Sequence, residues 1–291
     1  MQSYFFGGYL MSGFIKIKSK ALLLNNTFKL FCVTFIALIL KATATVGTVL
    51  STHFILVSNI FQSFLIEYNT FMVYFIYSLF VVSIYFLLFL FISGLKTGEK
   101  AIYFMQSKGS NAKFKYLFIF LRPSQSFRSF CLYSKIFILK LLWGIFLYLP
   151  PYFCLTLTIY LYFSTVIYTS VFLTLIFGTV FLISISSFYY NCISVRYSFA
   201  PYYLCTDLKI SVKEAINKST LNSDGFIKDG VYLKSSMLLW ILTCIFIAPV
   251  FYVVPFRKLT NAKFITFCDG LHYSLPQGNK TKIFIKNDGA I

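Results

Sequence analysis

The chain has 291 residues, of which 58% are hydrophobic, 21% aromatic and only 12% charged. Soluble domains average roughly 45–50% apolar and about 25% charged residues. A water-soluble fold would have to hide several apolar runs longer than about 18 residues, and such runs are typical of membrane-spanning helices. The runs are continuous rather than alternating, which favours helices over the strands of a closed barrel.

The chain is strongly basic, with 26 Lys and Arg against 8 Asp and Glu and a net charge of +18. In a soluble protein this excess would indicate a nucleic-acid partner. In a multi-pass protein it is typical of loops held at the anionic cytoplasmic leaflet, and we interpret it so, with no nucleic acid bound. The seven cysteines form no C-x-x-C pair, so neither a zinc site nor a disulfide framework is predicted.

The first span is predicted over residues 28–50, although Lys41 lies within it. A lysine inside a span either snorkels to the interface or faces the other helices. An alternative interpretation is a cleavable signal peptide, because basic residues and an apolar stretch precede Ala42-Thr43-Ala44. We favour the uncleaved span, since moderate apolarity continues beyond that site.

Three further spans follow, at residues 71–95, 136–163 and 165–193. The third contains Pro150-Pro151, which predicts a kink or an interruption. A basic loop at 96–135 separates the second and third spans, with Thr97-Gly98-Glu99 as a plausible helix start.

A second basic loop is predicted over 194–230, and its middle carries a helix signature. Ser211 is placed to cap a helix over 212–222, with Glu214 completing a capping box and Gly225 beyond the end. A fifth span is predicted at 231–255, interrupted by Pro249, and a polar tail at 257–291 ends the chain.

The basic residues alternate between successive loops. Four lie in the N-terminal stretch up to Lys29, none lies in 50–70, nine lie in 95–140, none lies in the turn after the third span and six lie in 194–234. This pattern places the N-terminus in the cytoplasm. The tail from Arg257 carries six more, which five full spans would place outside. We therefore favour a re-entrant or sixth segment hinged near Ala248-Pro249, which returns the tail to the cytoplasmic face.

The chemistry of known catalytic sites is missing. All eight carboxylates lie outside the apolar runs, whereas ion-coupled transporters keep ionisable groups at mid-membrane. The motifs H-E-x-x-H, G-x-S-x-G and the Walker loop are absent. We predict no enzyme activity, no cofactor and no metal site.

The second half of the chain resembles a known family. The residues that carry the likeness are Tyr190-Asn191-Cys192, Arg196 to Tyr203 (RYSFAPYY), Ser211 to Ser219 (SVKEAINKS), Trp240, Pro255-Phe256, Thr260-Asn261-Ala262 and Phe267 to Leu271 (FCDGL). They resemble a family of bacterial integral membrane proteins catalogued as domain of unknown function 975. Trp143 and Pro150-Pro151 are similar to its third span, with Pro151 in place of a glycine, which makes a tight helix–helix contact there less certain.

The resemblance implies a multi-span protein of the bacterial cytoplasmic membrane and supplies no activity, because none is assigned to the family. Such proteins also look distantly like the membrane domain attached to some glycerophosphodiesterases. That analogy suggests a role in binding lipid or a partner protein.

We therefore predict an all-α membrane protein of five spans plus a re-entrant or sixth segment. Its predicted role is to bind membrane lipids, a protein partner or a second copy of itself through the 194–230 loop and the helical bundle. The alternative is a small-solute or peptide permease that uses the proline-broken spans, with a cavity lined by Thr156, Thr158 and Thr243. The candidate residues are a cation just past a span, four prolines and one tryptophan: Arg196, Pro201, Pro150, Pro151, Pro249 and Trp240.

Overall fold

The computed structural model describes residues 2–58, 63, 70–110, 112–164, 169–237, 240 and 247–274. Every regular element of ten or more residues in this part of the chain is an α-helix, as the sequence predicts. In chain order the helices are α1 Gln2–Asn25, α2 Thr27–Val57, α3 Thr70–Ser107, α4 Tyr116–Ile119, α5 Pro123–Ser164, α6 Thr169–Arg196, α7 Ala200–Thr206, α8 Val212–Ser223, α9 Ile227–Ser236 and α10 Ile247–Ser274.

Four helices, α2, α3, α5 and α6, are long and apolar enough to cross a membrane, and the chain is a multi-pass membrane protein. The hydrocarbon core of a bilayer is about 30 Å thick. At about 1.5 Å per residue, the 38 residues of α3 extend about 57 Å and the 42 residues of α5 about 63 Å. Each of these helices therefore continues well beyond any span it makes.

The four long helices pair as two hairpins. The Tyr77 hydroxyl on α3 donates to the Thr52 carbonyl on α2 at 2.9 Å. In the second pair, Ser186 Oγ on α6 donates to the Leu147 carbonyl on α5 at 2.8 Å, and Tyr148 lies 3.0 Å from Ser187. Apart from such contacts the apolar stretches expose large side chains, which is the expected surface for helices that lipid surrounds.

The buried core lies where the ends of the long helices meet. We call this region the head: α1, α4, α7 to α10, the first half of α2, the last part of α3, the first part of α5 and the end of α6. Its fully buried side chains come from every part of the chain, including Ile15, Leu30, Tyr103, Leu132, Phe199, Leu233 and Leu259. The chain leaves the head along α2, returns along α3, leaves again along α5 and returns along α6.

The first span belongs to this core. Leu30, Val33 and Ala37 of α2 are completely buried, and α2 continues without a break through the candidate cleavage site at Ala42-Thr43-Ala44. A protein cleaved there would lose a side of its core, so the uncleaved span remains our prediction.

The structure corrects the predicted helix start at Thr97-Gly98-Glu99. Helix α3 is unbroken from Thr70 to Ser107. Thr97 does not cap a new helix, because its Oγ1 donates to the Ser93 carbonyl one turn earlier. The residues expected to begin the 96–135 loop therefore continue the helix of the second span into the head.

The helix boundary was wrongly predicted there because the segment contains glycine. A Cβ built on Gly98 would lie 2.2 Å from the Leu117 carbonyl oxygen, and one on Gly94 would lie 2.6 Å from the Phe120 carbonyl oxygen. These two glycines, four residues apart, let the backbone around α4 approach α3 closely. They serve a packing contact and do not interrupt the helix.

The predicted loop at 194–230 is itself mostly helical, containing α7, α8 and the start of α9. The Ser211 cap is confirmed, since Ser211 Oγ accepts a hydrogen bond from the Glu214 backbone N–H at 3.2 Å. Gly225 follows α8 with φ of 91°, a conformation that favours glycine.

The C-terminal region also differs from the prediction. The residues from 257, expected as a polar tail, are helical as far as Ser274 within α10. Leu259, Ala262 and Cys268 are completely buried, so one face of α10 packs in the core. The predicted fifth span at 231–255 covers α9 and the start of α10, and much of the expected hairpin near Ala248-Pro249 lies outside the described residues.

Candidate functional site: a cationic cavity in the head

A buried carboxylate holds two lysines from different helices. Glu99 on α3 accepts from Lys41 Nζ on α2 at 2.9 Å and is also paired with Lys258 on α10. The Glu99 side chain is 6% exposed, against 23% for Lys41 and 34% for Lys258. Lys41 therefore faces the other helices, which explains a lysine inside the first predicted span.

The Lys41–Glu99–Lys258 cluster has one more cation than anion. Burial lowers the pKa of Lys258, and the attraction of Glu99 opposes that lowering. Glu99 binds these two ammonium groups directly and acts on Lys100 only through longer-range attraction. The cluster joins the N-terminal, middle and C-terminal parts of the chain.

A second polar network joins α7, α8 and α10. Asn222 Nδ2 donates to the Tyr203 hydroxyl at 2.8 Å and to Asp269 Oδ1 at 3.1 Å, and the Tyr203 hydroxyl donates to Asp269 Oδ1 at 3.2 Å. Tyr203 and Asp269 belong to two of the stretches that carry the family resemblance. The network aligns the helices that enclose the site described next.

Between these networks lies a cavity of about 110 Å³. Its walls come from α3, α6, α7, α9 and α10 and from the turn after α6. The lining residues with polar side chains are Lys100, Ser198, Tyr202, Lys234 and Asn261, and the apolar lining includes Val195, Leu233, Phe264 and Ile265.

Both lysines of the cavity lack a carboxylate partner. Among the described residues, no Asp or Glu lies within 4.0 Å of the Lys100 or Lys234 ammonium. Lys100 lies instead over the rings of Tyr133 and Tyr202, at 5.3 and 5.5 Å from their centroids. Ring faces attract a cation but leave its charge in place.

Other cations add to this positive field. Burial, together with the neighbouring Lys140 and Arg257, lowers the pKa of Lys234 to about 8. Lys140 is also close enough to Lys100 to interact with it. Two cations, from α3 and α9, thus line the cavity and two more, from α5 and α10, act on them, and such an arrangement attracts an anion.

Close packing shapes the wall of the cavity. A Cβ on Gly230 would lie 2.7 Å from Val195 Cγ1 and 3.2 Å from the Phe264 ring. Only glycine lets α9 approach α6 and α10 this closely, and this approach positions Lys234 one helical turn further along α9.

Arg196 and Pro201, predicted from the sequence, lie beside the cavity and do not line it. Arg196 pairs with Asp224 at 3.0 Å on the surface, and its carbonyl accepts from Ser219 Oγ. Pro201 is buried in the first turn of α7, where proline is well tolerated. Both residues position α7 and α8 against the end of α6.

The remaining predicted residues lie elsewhere. Pro150 and Pro151 are inside α5, which continues through them, so of the predicted kink or interruption the interruption is excluded. Pro249 lies in the first turn of α10. Trp240 is 49% exposed, and its ring packs against Phe256 with centroids 6.4 Å apart.

Sequence reasoning missed Lys100, Lys234 and Glu99. It placed Glu99 in a predicted helix start and counted Lys100 and Lys234 among the basic residues of the two loops. The sequence does set Lys234 apart from a solvent-exposed basic loop, because it follows the apolar Val231 and Leu233 and no further charged residues come directly after it. The convergence of Lys100 and Lys234 depends on contacts across more than a hundred residues, which no local pattern reports.

The described residues contain no group of three or more His, Cys, Asp or Glu that could hold a metal ion. The polar atoms of the cavity are mostly cationic or hydrogen-bond donors, so the site suits an anion. The chain matches no protein-family model, no curated protein and no solved structure.

Proposed function

We propose that this chain is a non-enzymatic membrane protein whose basic head binds anionic membrane lipid. The observation that carries the proposal is the cationic cavity, in which Lys100 and Lys234 face a common space without carboxylate partners. Lipid binding suits this arrangement better than protein binding, because the cavity lies among helices that continue directly into the spans.

The charge distribution supports the same function. Lys41, Lys100, Lys140, Lys258 and their neighbours come from segments far apart in the chain and converge in the head. The cytoplasmic leaflet carries anionic lipids, and basic residues near it are attracted at about 1 kcal/mol each. We therefore place the head, and with it the N-terminus, on the cytoplasmic side of a bacterial cell membrane.

The topology follows from that placement. Four spans return the chain to the head, and a re-entrant segment within 231–255 would leave and re-enter it on the same side. Lys258 of α10 contacts Glu99 of α3, so the basic residues after 255 lie with those of the 96–135 segment. This arrangement accounts for the excess of positive charge on one side without a fifth full span.

Native mass spectrometry of the full chain tests the function. We expect the protein extracted from cell membranes in mild detergent to retain anionic phospholipid in preference to phosphatidylethanolamine. If the protein instead retained a stoichiometric protein partner and no phospholipid, we would conclude that the head binds a protein and not lipid. Retention of neither would overturn the proposal.

A further inference from the structure

We propose that the cavity between α3, α6, α9 and α10 is a binding site for the phosphate group of one anionic phospholipid, held by Lys100 and Lys234. The inference rests on the proposed lipid-binding function and assigns a specific site to it. The same phosphate chemistry occurs in lipid headgroups and in free phosphate esters, and the location of the cavity favours the lipid.

The cavity provides the chemistry that a phosphate requires. Lys100 approaches from α3 and Lys234 from α9, each half-buried and each free of a carboxylate competitor within the described residues. An ammonium is a point charge with three donors and binds phosphate without strict geometry. The Asn261 amide and the Tyr202 hydroxyl line the same space and can donate to further phosphate oxygens.

The nearest carboxylate does not compete for these lysines. Glu99 precedes Lys100 in the chain, but its two oxygens are paired with Lys41 and Lys258. The cavity therefore retains a positive charge that the protein does not neutralise. Keeping several cations close together without an anion is unfavourable, and a bound phosphate would relieve it.

The cavity lies at the level where the spans end. The apolar run of α3 ends at Leu95, and Lys100 is five residues further, about 7–8 Å along the helix axis. Val195, in the wall of the cavity, is in the last turn of α6, and Lys140 comes directly before the long apolar run of α5. A headgroup phosphate belongs at this depth while its acyl chains contact the exposed apolar helices.

The size of the cavity fits a headgroup phosphate. Its volume of about 110 Å³ exceeds the roughly 30 Å³ share of one water molecule. It can hold one tetrahedral anion, and Val195, Leu233 and Phe264 close the remaining sides.

Thermal unfolding of the full-length protein in a neutral detergent tests the site. The added probes are dioleoyl phosphatidylglycerol, dioleoyl phosphatidylcholine, glycerol 1-phosphate and inorganic phosphate. We expect phosphatidylglycerol to raise Tm in a saturable way, and the other three to require at least tenfold higher concentrations for the same shift. A ligand that binds the folded state alone must produce such a shift.

Two variants and one control locate the effect. Lys100→Met and Lys234→Met should each raise the half-saturating phosphatidylglycerol concentration at least tenfold. Lys213→Met, which removes an exposed lysine from α8 outside the cavity, should leave it unchanged. Because each cavity variant removes a partly desolvated charge, its Tm without lipid should equal or exceed that of the wild type, which confirms that it folds.

The outcomes separate this site from the wider function. If phosphatidylglycerol stabilises the wild type and both cavity variants equally, the site is overturned while lipid binding by the head stands. If glycerol 1-phosphate or inorganic phosphate acts as strongly as the lipid, the occupant is a free phosphate compound. If phosphatidylcholine acts equally well, or if no lipid raises Tm, the site is overturned, and the second result also contradicts the proposed function.

Discussion

Glu99 is the residue on which three separate parts of the chain depend. It lies on α3 with 5% of its surface exposed and holds Lys41 of α2 and Lys258 of α10. Ion pairs at this level of burial contribute little over an apolar substitute, but removing one member leaves the others without compensation. The pairs therefore determine which helices lie together more than they raise the overall stability.

The first prediction concerns the cost of removing Glu99 from these ion pairs. Glu99→Gln should lower the free energy of unfolding by about 3 kcal/mol, because two lysines then remain in the head without their anion. Asp224→Asn is the matched control, since it breaks the exposed pair with Arg196 and should cost less than about 1 kcal/mol. Equilibrium unfolding in mixed micelles measures both, and equal losses would contradict the assigned burial of Glu99.

The second prediction follows from the pKa of Lys234, which is lowered to about 8 by burial and by the neighbouring Lys140 and Arg257. An unfolded lysine has a pKa of about 10.4. Between pH 8 and 10 the unfolded state thus binds more protons, and the contribution of Lys234 to stability rises with pH. Below pH 8 both states are protonated and the charged side chain remains unfavourable.

We therefore expect Lys234→Met to be more stable than the wild type by a margin that is larger at pH 7 than at pH 9.5. The charged groups that face Lys234 are Lys140 on α5, Arg257 on α10 and, across the cavity, Lys100 on α3. Thermal unfolding of both proteins at the two pH values measures the margin. A margin that grows with pH would show that Lys234 is not desolvated.

At the scale of single elements, α3 shows how a packing requirement can look like a helix boundary. Gly94 and Gly98 are four residues apart and face the backbone around α4. Glycine destabilises a helix by up to about 1 kcal/mol relative to alanine. Here its missing side chain allows the backbone around α4 to approach α3 closely. The third prediction uses this contact.

Gly98→Ala should destabilise the protein by about 1–3 kcal/mol, because its new methyl group would overlap the Leu117 carbonyl and must displace backbone. The control is Gly178→Ala on α6, where nothing lies within 4 Å of a new Cβ. That change should be neutral or slightly stabilising through helix propensity. The comparison is made by unfolding in mixed micelles, and a neutral Gly98→Ala would contradict the close contact of α3 with Leu117.

The fourth prediction tests the cap of α8. Ser211→Ala removes the acceptor of the Glu214 N–H and should cost about 1 kcal/mol, because the first turn of the helix then loses its only side-chain cap. Thr220→Ala on the same helix removes only a bond to the Asn217 carbonyl three residues earlier and should cost less. An equal cost for the two substitutions, measured as a change in Tm, would assign no special role to Ser211.

Elements were predicted from the sequence where the signal was local. The long apolar runs predicted α2, α3, α5 and α6, and the spacing of Ser211 and Glu214 predicted the start of α8. Helix α10 was missed because Arg257, Lys258 and Lys263 gave its segment a polar composition. Its buried face at Phe256, Leu259, Ala262, Ile265 and Cys268 follows a spacing of three, which a search for periodicity would have found.

For the whole molecule, the four long apolar helices among the described residues bear on which side of the membrane the last described helix, α10, lies. The chain leaves and re-enters the head twice, and Lys263 of α10 then donates to the Ser107 carbonyl at the end of α3 at 2.8 Å. We therefore expect the end of α3 at Ser107 and the helix α10 to lie on the same side of the membrane. The fifth prediction tests this arrangement.

In a variant without other cysteines, Lys115→Cys and Gly270→Cys should react with a membrane-impermeant reagent only after cells are permeabilised. Ser170→Cys, at the opposite end of α6, should react in intact cells. Labelling of Gly270→Cys in intact cells with protection of Lys115→Cys would place α10 on the other side. That result would restore five full spans and contradict the contacts between α3 and α10.

The architecture of the head could not be predicted from the sequence. Composition identifies the spans, because residues that face lipid must be predominantly apolar. The head is built from six whole helices and parts of four others, and its core includes Tyr103, Glu99 and Asn222. Its contacts join residues more than 200 positions apart, as between α1 and α10. Such pairs leave no local pattern, so the cationic cavity they enclose was not foreseen.

The continuity of α3 has a mechanical consequence. A helix that is longer than the local bilayer thickness adjusts by tilting, and the tilt changes as the bilayer thins or thickens. Because α3 has no break between its outer end and Ser107, such a tilt moves Glu99, Lys100 and Tyr103 as one rigid rod. We therefore expect the geometry of the cavity to change with bilayer thickness.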